Sequence, residues 1–148
     1  MKKIYILVVA LIVILLTGCG KIQTLECSKT YNEEGMVLKQ DMKTKFEGLE
    51  ATYIDMSMDI KFDESYLSLV SIDTLEETFK KQYDSQYNKK GITINYTKGK
   101  DNIIIDMDFD LKNISEEDKS NLELTDVYGT IEATKEAMEK EEYTCSIK

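Results

Sequence analysis

An α+β fold, with an antiparallel sheet of about six strands and its helices packed on one face, follows from two features of this 148-residue chain. Most segments between Leu25 and Asp110 alternate apolar and polar residues, the period of a half-buried strand. One segment departs from that period: Leu75, Phe79, Tyr83 and Tyr87 recur every fourth residue and make a single helical stripe. Strands in runs, interrupted by helices that must share a covering face, give the order β-β-β-α-β-β-α-α-β. There is no internal repeat, low-complexity segment or second domain.

Leu25 to Tyr31 sets Leu, Cys, Lys and Tyr against Glu, Ser and Thr, and reads as the first strand. Asn32-Glu33-Glu34-Gly35 carries the residues of a type I turn whose Gly takes positive φ, which implies a hairpin with a bulge. Met36 to Phe46 is the second strand, and Thr52 to Phe62 shows the clearest alternation in the chain. Ile54, Met56, Met58, Ile60 and Phe62 share one face there; Tyr53, Asp55, Ser57, Asp59 and Lys61 share the other. Charge selects the pairing of these two strands. With Met42 opposite Met56, Lys43 meets Asp55 and Lys39 meets Asp59, whereas a slip of two residues sets Asp41 against Asp55. Opposite charges across strands stabilise and like charges destabilise, so the first register is expected, with its turn about Gly48.

Asp73 and Glu76 match a capping box ahead of the helical stripe. Glu76–Lys80 and Glu77–Lys81 are favourable i,i+4 pairs. Lys89 and Lys90 suit the negative end of the helix dipole, and Gly91 stops it. Tyr66 to Val70 is either a first helical segment or an irregular lead-in. Ile92–Thr97 and Asn102–Asp110 form a second hairpin through Gly99-Lys100, placing Tyr96 opposite Ile103 and Ile94 opposite Ile105. Ser115 caps a short helix with acids in its first turn. Gly129 to Lys140 is weakly amphipathic, and Tyr143 to Ile147 is a final strand containing Cys145.

Composition removes whole classes of function. The chain has no Arg, His, Trp or Pro and a net charge of −9. Without His there is no Ser-His or Cys-His pair and no His-ligated metal. Without Arg there is no bidentate clamp for phosphate or carboxylate. The acidic balance repels nucleic acid and anionic lipid head groups. Rich use of Lys, Ile, Asn and Tyr suits an AT-rich, low-GC Gram-positive genome.

The amino-terminal residues carry an address. Lys2 and Lys3 precede an unbroken apolar run of 13 residues, Ile4 to Leu16, shorter than the ~20 that a spanning helix needs and of the length found in a secretory signal. Leu16-Thr17-Gly18-Cys19 resembles the bacterial lipobox. That resemblance implies a signal peptide over residues 1–18 and a diacylglyceryl thioether on Cys19. A lipidated tether over 19–24 and one α+β domain over 25–148 then follow. It places the domain on the extracytoplasmic face of the cell membrane, anchored by two acyl chains, where one alone binds only marginally. Cys27 and Cys145 are left as a pair. In an exported chain such a pair is expected to be bridged; the alternative is two free thiols.

Together, the lipobox, a first strand with Cys27, "EGMVLKQ", "GITINYTKGKDNIIIDMDFD", "SEEDK" and the terminal "EEYTCS" resemble small bacterial lipoproteins of the YehR-like kind. The resemblance covers nearly the whole chain after Cys19. It implies a one-domain α+β lipoprotein and brings no active-site residues with it.

Asp106, Asp108 and Asp110, with Glu117, match the acidic positions of a calcium loop. Leu111 stands where that loop requires Gly, and the three Asp alternate with Ile105, Met107 and Phe109, so they read as the solvent side of a strand and only a weak metal candidate. Tyr83, Tyr87 and Tyr96 could line a ligand surface, and Met36, Met42, Met56, Met58 and Met107 an adaptable groove; both sets read first as packing. Asn95 and Asn113 begin glycosylation sequons, which carry no meaning in a bacterial chain. No cofactor and no catalytic residue is expected. The function expected is a non-catalytic, membrane-anchored binding domain for an envelope protein or small ligand. The alternatives are a carboxylate-only enzyme or enzyme accessory of the envelope, and a structural or immune-interacting surface lipoprotein.

Overall fold

The computed structural model describes residues 21–122, 124 and 129–148. Among these residues the elements are β1 (Ile22–Glu33), β2 (Met36–Glu47), β3 (Glu50–Phe62), α1 (Glu64–Leu67), α2 (Ile72–Tyr87), β4 (Ile92–Lys98), β5 (Asn102–Asp110), α3 (Glu116–Asn121), α4 (Ile131–Lys140) and β6 (Thr144–Ile147). All strands join one sheet in the order β4-β5-β3-β2-β1-β6, and every pairing is antiparallel. The class and the order of elements are those that the sequence predicts.

One face of this sheet is dry because alternate residues of neighbouring strands are apolar together. Leu25 and Cys27 of β1, Phe46 of β2, Ile54 and Ile60 of β3, and Ile103 and Ile105 of β5 are all buried. The helices close over that face. From α2, Leu75, Phe79, Tyr83 and Tyr87 pack against it, and α4 adds Ile131 and Met138. Tyr83 stacks on Tyr87 with centroids 6.0 Å apart, and Tyr87 meets Phe109 edge-on at 5.9 Å. These ring pairs contribute about 0.5–1.5 kcal/mol each beyond the area they bury. The tyrosines of the α2 stripe therefore belong to the core.

β2 and β3 pair in the register that charge selects. Met42 faces Met56, Lys43 faces Asp55 and Lys39 faces Asp59, and the turn is Gly48-Leu49 with Gly48 at φ 66°. A shift between Lys45 and Phe46 absorbs one residue before that turn. Lys39 takes its close ion pair along its own strand, from Asp41 at 2.7 Å.

Four local expectations are corrected. The β1–β2 hairpin has no bulge: pairing runs unbroken to Glu33–Met36 and leaves a two-residue loop, Glu34-Gly35. Beyond it, the Asp63 amide donates to the Gly35 carbonyl at 3.0 Å and ties the loop to the start of α1. The β4–β5 register is two residues from the expected one, with Tyr96 opposite Ile105 and Ile94 opposite Met107. A slip of two keeps every side chain on its own face, so periodicity cannot detect it. The longer loop is held instead by Gly99 N–H donating to Asn102 O at 2.8 Å and by Phe62 N–H donating to Asp101 O at 2.8 Å. The cap of α2 is Ser71, which accepts from the Thr74 amide, and Asp73 lies in the first turn. Starting there puts Ile72 on the core side with Leu75. Finally, β1 begins at Ile22 and not at Leu25, because its pairing with β2 continues to Ile22–Glu47, and Thr24 and Lys148 exchange backbone hydrogen bonds of 3.0 and 2.9 Å.

Candidate functional site

The second face of the sheet is polar, and its residues line up in rows set by the register. One row runs Asn95, Asp106, Ser57, Asp41, Ser28, Thr144 from β4 to β6. The next runs Thr93, Asp108, Asp55, Lys43, Glu26, Ser146. Each strand supplies these residues for the reason it supplies the core: the period of two sends alternate side chains to opposite faces. The packing helices lie on the dry side, α2 against β4 and β5, α4 against β6 and β1.

Within this face lies a depression of about 410 Å³ over β3, β2, β1 and β6. Glu26, Ser28, Asp41, Lys43, Asp55, Ser57, Thr144 and Ser146 line it, with Cys27 and Met42 between them along the strands. Lys43 stands centrally, cross-strand from both Asp55 and Glu26. Glu26 also pairs with Lys148, and that hydrogen bond holds its carboxyl below the usual carboxylate range. Serine and threonine hydroxyls beside fixed charges can both donate to and accept from a ligand. The depression thus presents hydrogen-bond donors, acceptors and charges of both signs on one open surface.

Asp106, Asp108 and Asp110 lie beside this depression, along β5, and each finds a separate donor. Ser57 Oγ donates to Asp106 at 2.6 Å, Tyr53 OH to Asp108 at 2.6 Å, and Asn113 Nδ2 to Asp110 at 2.7 Å. The Asp108 hydrogen bond, with burial and the further charge of Asp55 and Asp110, pushes the Tyr53 phenol up to about 12. Among the described residues no three Cys, Asp or Glu side chains gather where they could hold a metal ion.

A second polar cluster sits on the helix side of β1, where the alternation would place core residues. Lys29 Nζ donates to the Glu141 carbonyl at 2.5 Å and lies 4.4 Å from the centre of the Tyr31 ring. Tyr143 OH donates to Gln40 Oε1 at 2.9 Å, and Gln40 Nε2 reaches Met56 Sδ at 3.3 Å. Burial, then the Tyr31 hydroxyl, raises the Tyr143 pKa. No motif in the sequence marks this cluster. Its available signal was Lys29 and Gln40 standing at positions in phase with Leu25, Cys27, Leu38 and Met42.

Cys27 and Cys145 are joined by a disulfide. Such a bond forms in oxidising compartments and is rare in a cytosol, so it points to an extracytoplasmic location. The apolar run, the Leu16–Cys19 motif and Cys19 itself lie outside the described residues. Among the described residues no helix is long and apolar enough to cross a membrane.

No family model matches the sequence, and no curated protein does. Solved structures are similar in fold. The NMR structure of a protein from Streptococcus pneumoniae TIGR4 aligns with 85% of this chain and 86% of its own, at TM-score 0.59 and 9% identity. The NMR structure of the E. coli YehR protein aligns with 81% of this chain and 88% of its own, at TM-score 0.55 and 13% identity. The likeness is one of fold, and it is the fold that the YehR-like sequence resemblance implies: this chain is built as the YehR protein is.

Proposed function

We propose that the chain is a lipid-anchored extracytoplasmic binding domain whose ligand, an envelope protein or a small molecule, docks on the helix-free face of the sheet. The observation that carries this reading is the polar depression of about 410 Å³ around Lys43. Most of it lies over β1, β2 and β3, where hydrogen-bonded neighbours on both sides keep the side chains in fixed positions, and β6 closes its edge. The Leu16–Cys19 motif supplies the anchor, and the disulfide agrees with an exported domain.

Catalysis by carboxylates would need an acid held protonated at neutral pH. Among the described residues, the carboxyls displaced from their ordinary range are Glu26, Asp63, Glu76, Asp118 and Glu136, and donors or cations hold all of them down. Carboxylates held ionised in this way suit charge recognition and not proton donation. The acidic surface likewise favours a partner that is not nucleic acid.

Two measurements test the reading. Intact mass of the membrane-extracted protein should show a diacylglyceryl group on Cys19, with residues 1–18 removed. Cross-linking in native membranes should give adducts that Lys43→Glu and Asp55→Lys abolish and that Lys135→Glu, on α4, preserves. Adducts unchanged by both reversals on the open face would place the ligand elsewhere.

A further inference from the structure

Building on that anchored reading, we infer that the sheet end carrying Ile22 and Leu49 docks on the membrane surface, so that the domain stands on the bilayer instead of hanging free on its lipid. Ile22 opens β1 and pairs with Glu47, the last residue of β2, while Leu49 lies in the loop that follows. The two side chains therefore project from the same end, 66% and 74% exposed. Only Gly20 and Lys21 separate Ile22 from Cys19. Three Cα–Cα steps span at most about 11 Å, so a Cys19 thioether at the head-group level brings this end to the interface. Isoleucine and leucine that face water in the isolated domain can there enter the acyl boundary, about 5–10 Å deep for an interfacial apolar face.

Charge permits the contact. The chain as a whole is acidic, yet at this end Lys21, Lys45 and Lys112 stand among Glu47 and Glu50, and Lys112 Nζ lies 2.7 Å from Glu47. The opposite end has exposed apolar residues of its own, Val37 and Leu69. Val37 pairs with Asn32 and Lys61 beside the Glu34-Gly35 loop, and Leu69 follows α1, which is tied to that loop. A strand of twelve residues is roughly 40 Å long at 3.3 Å per residue, which puts Leu69 beyond reach of the bilayer. This stance turns the face around Lys43 sideways, toward neighbours in the same layer of the envelope.

The test uses the full chain, lipidated and reconstituted in phosphatidylglycerol–phosphatidylethanolamine vesicles. An environment-sensitive probe is attached at Leu49→Cys or, as a matched exposed leucine, at Leu69→Cys, with intact mass confirming the lipid on Cys19. The probe at 49 should shift its emission to the blue and lose intensity to brominated lipid, while the probe at 69 does neither. Both probes in water, on a protein whose mass shows the lipid, would overturn the docking and leave the anchor standing. Both probes in lipid would overturn the upright stance. A protein without lipid on Cys19 would remove the anchored reading and the docking with it.

Discussion

Cys27 and Cys145 stand directly opposite each other on β1 and β6, 4.1 Å apart at Cα, and their disulfide closes 118 residues of chain. They occupy a non-hydrogen-bonded pair of the ladder. Thr24 and Lys148 exchange both backbone bonds, and in an antiparallel ladder such pairs alternate with closer ones that exchange none. A loop this long, closed in the unfolded chain, removes entropy equivalent to about 4–5 kcal/mol in the chain-entropy model. Cys27→Ser/Cys145→Ser, or reduction, should therefore cost about 2–5 kcal/mol in denaturant unfolding. The β6 amides should exchange hydrogen first, since four residues at a sheet edge have little else to hold them. Equal midpoints with and without reductant would show that the bridge contributes nothing.

Thr44 is fully buried on the dry face, between Leu25 and Ile54, and its hydroxyl is the single buried side-chain polar atom without a partner among the described residues. A buried hydroxyl left unpaired costs about 1–3 kcal/mol. Thr44→Val, equal in shape, should raise stability by about 1 kcal/mol, whereas Thr44→Ala should lower it by opening a void. A Thr44→Val midpoint below wild type would reveal a bond that the hydroxyl makes.

Gly91 and Gly48 both have positive φ, 87° and 66°, but differ in surroundings. A Cβ at Gly91 would lie 2.9 Å from Ile114 Cγ1 and 3.0 Å from the Asp110 carbonyl oxygen, whereas at Gly48 nothing lies within 4 Å. Gly48→Ala should therefore cost only the backbone penalty of about 1–2 kcal/mol. Gly91→Ala should cost more, because the β5–α3 connection must also move. Thermal unfolding of the two variants side by side checks the order.

Tyr53 gives a prediction in alkali. Its folded pKa is raised from 10.0 to about 12, chiefly by the hydrogen bond to Asp108. Between those values the folded chain keeps a proton that the unfolded chain has lost, so unfolding releases it. The stabilisation is complete below pH 10 and is lost as pH rises toward 12. Absorbance of the ionised phenol should show Asp108→Asn titrating earlier than wild type, and Tyr53→Phe should flatten part of the stability slope. An unchanged titration in Asp108→Asn would remove this hydrogen bond as the cause.

The legible parts of the fold are those in which two independent signals coincide. Parity alone left the β2–β3 pairing open to slips of two, and the Lys43–Asp55 and Lys39–Asp59 oppositions resolved it. Across β4 and β5 the polar partners are Thr93, Asn95 and Thr97 against acids or Ile104, which favour no register, so the slip of two went unseen. The capping-box pattern points to Asp73, but α2 starts two residues earlier, at Ser71, because that start brings Ile72 to the core. The depression could not be read from periodicity, because it depends on β6 lying beside β1, and strand order is a tertiary fact. Of its polar residues, Lys43 and Asp55 were legible as a cross-strand pair and the others only as single positions on their strands.

That strand order also sets a sequence of events in time. β1 is the first strand in chain order, and its partner on one side, β2, follows at once; its partner on the other side is β6, the last. Until residues 144–147 join the sheet, β1 holds an unpaired row of amides and carbonyls, the kind of edge that recruits other chains. The first-made strand is thus the last to be protected, and the Cys27–Cys145 bond works as a latch that cannot close on an unfinished chain. Chains that lack β6 would carry that edge open, so completeness of the chain, and not only its stability, guards this fold against association.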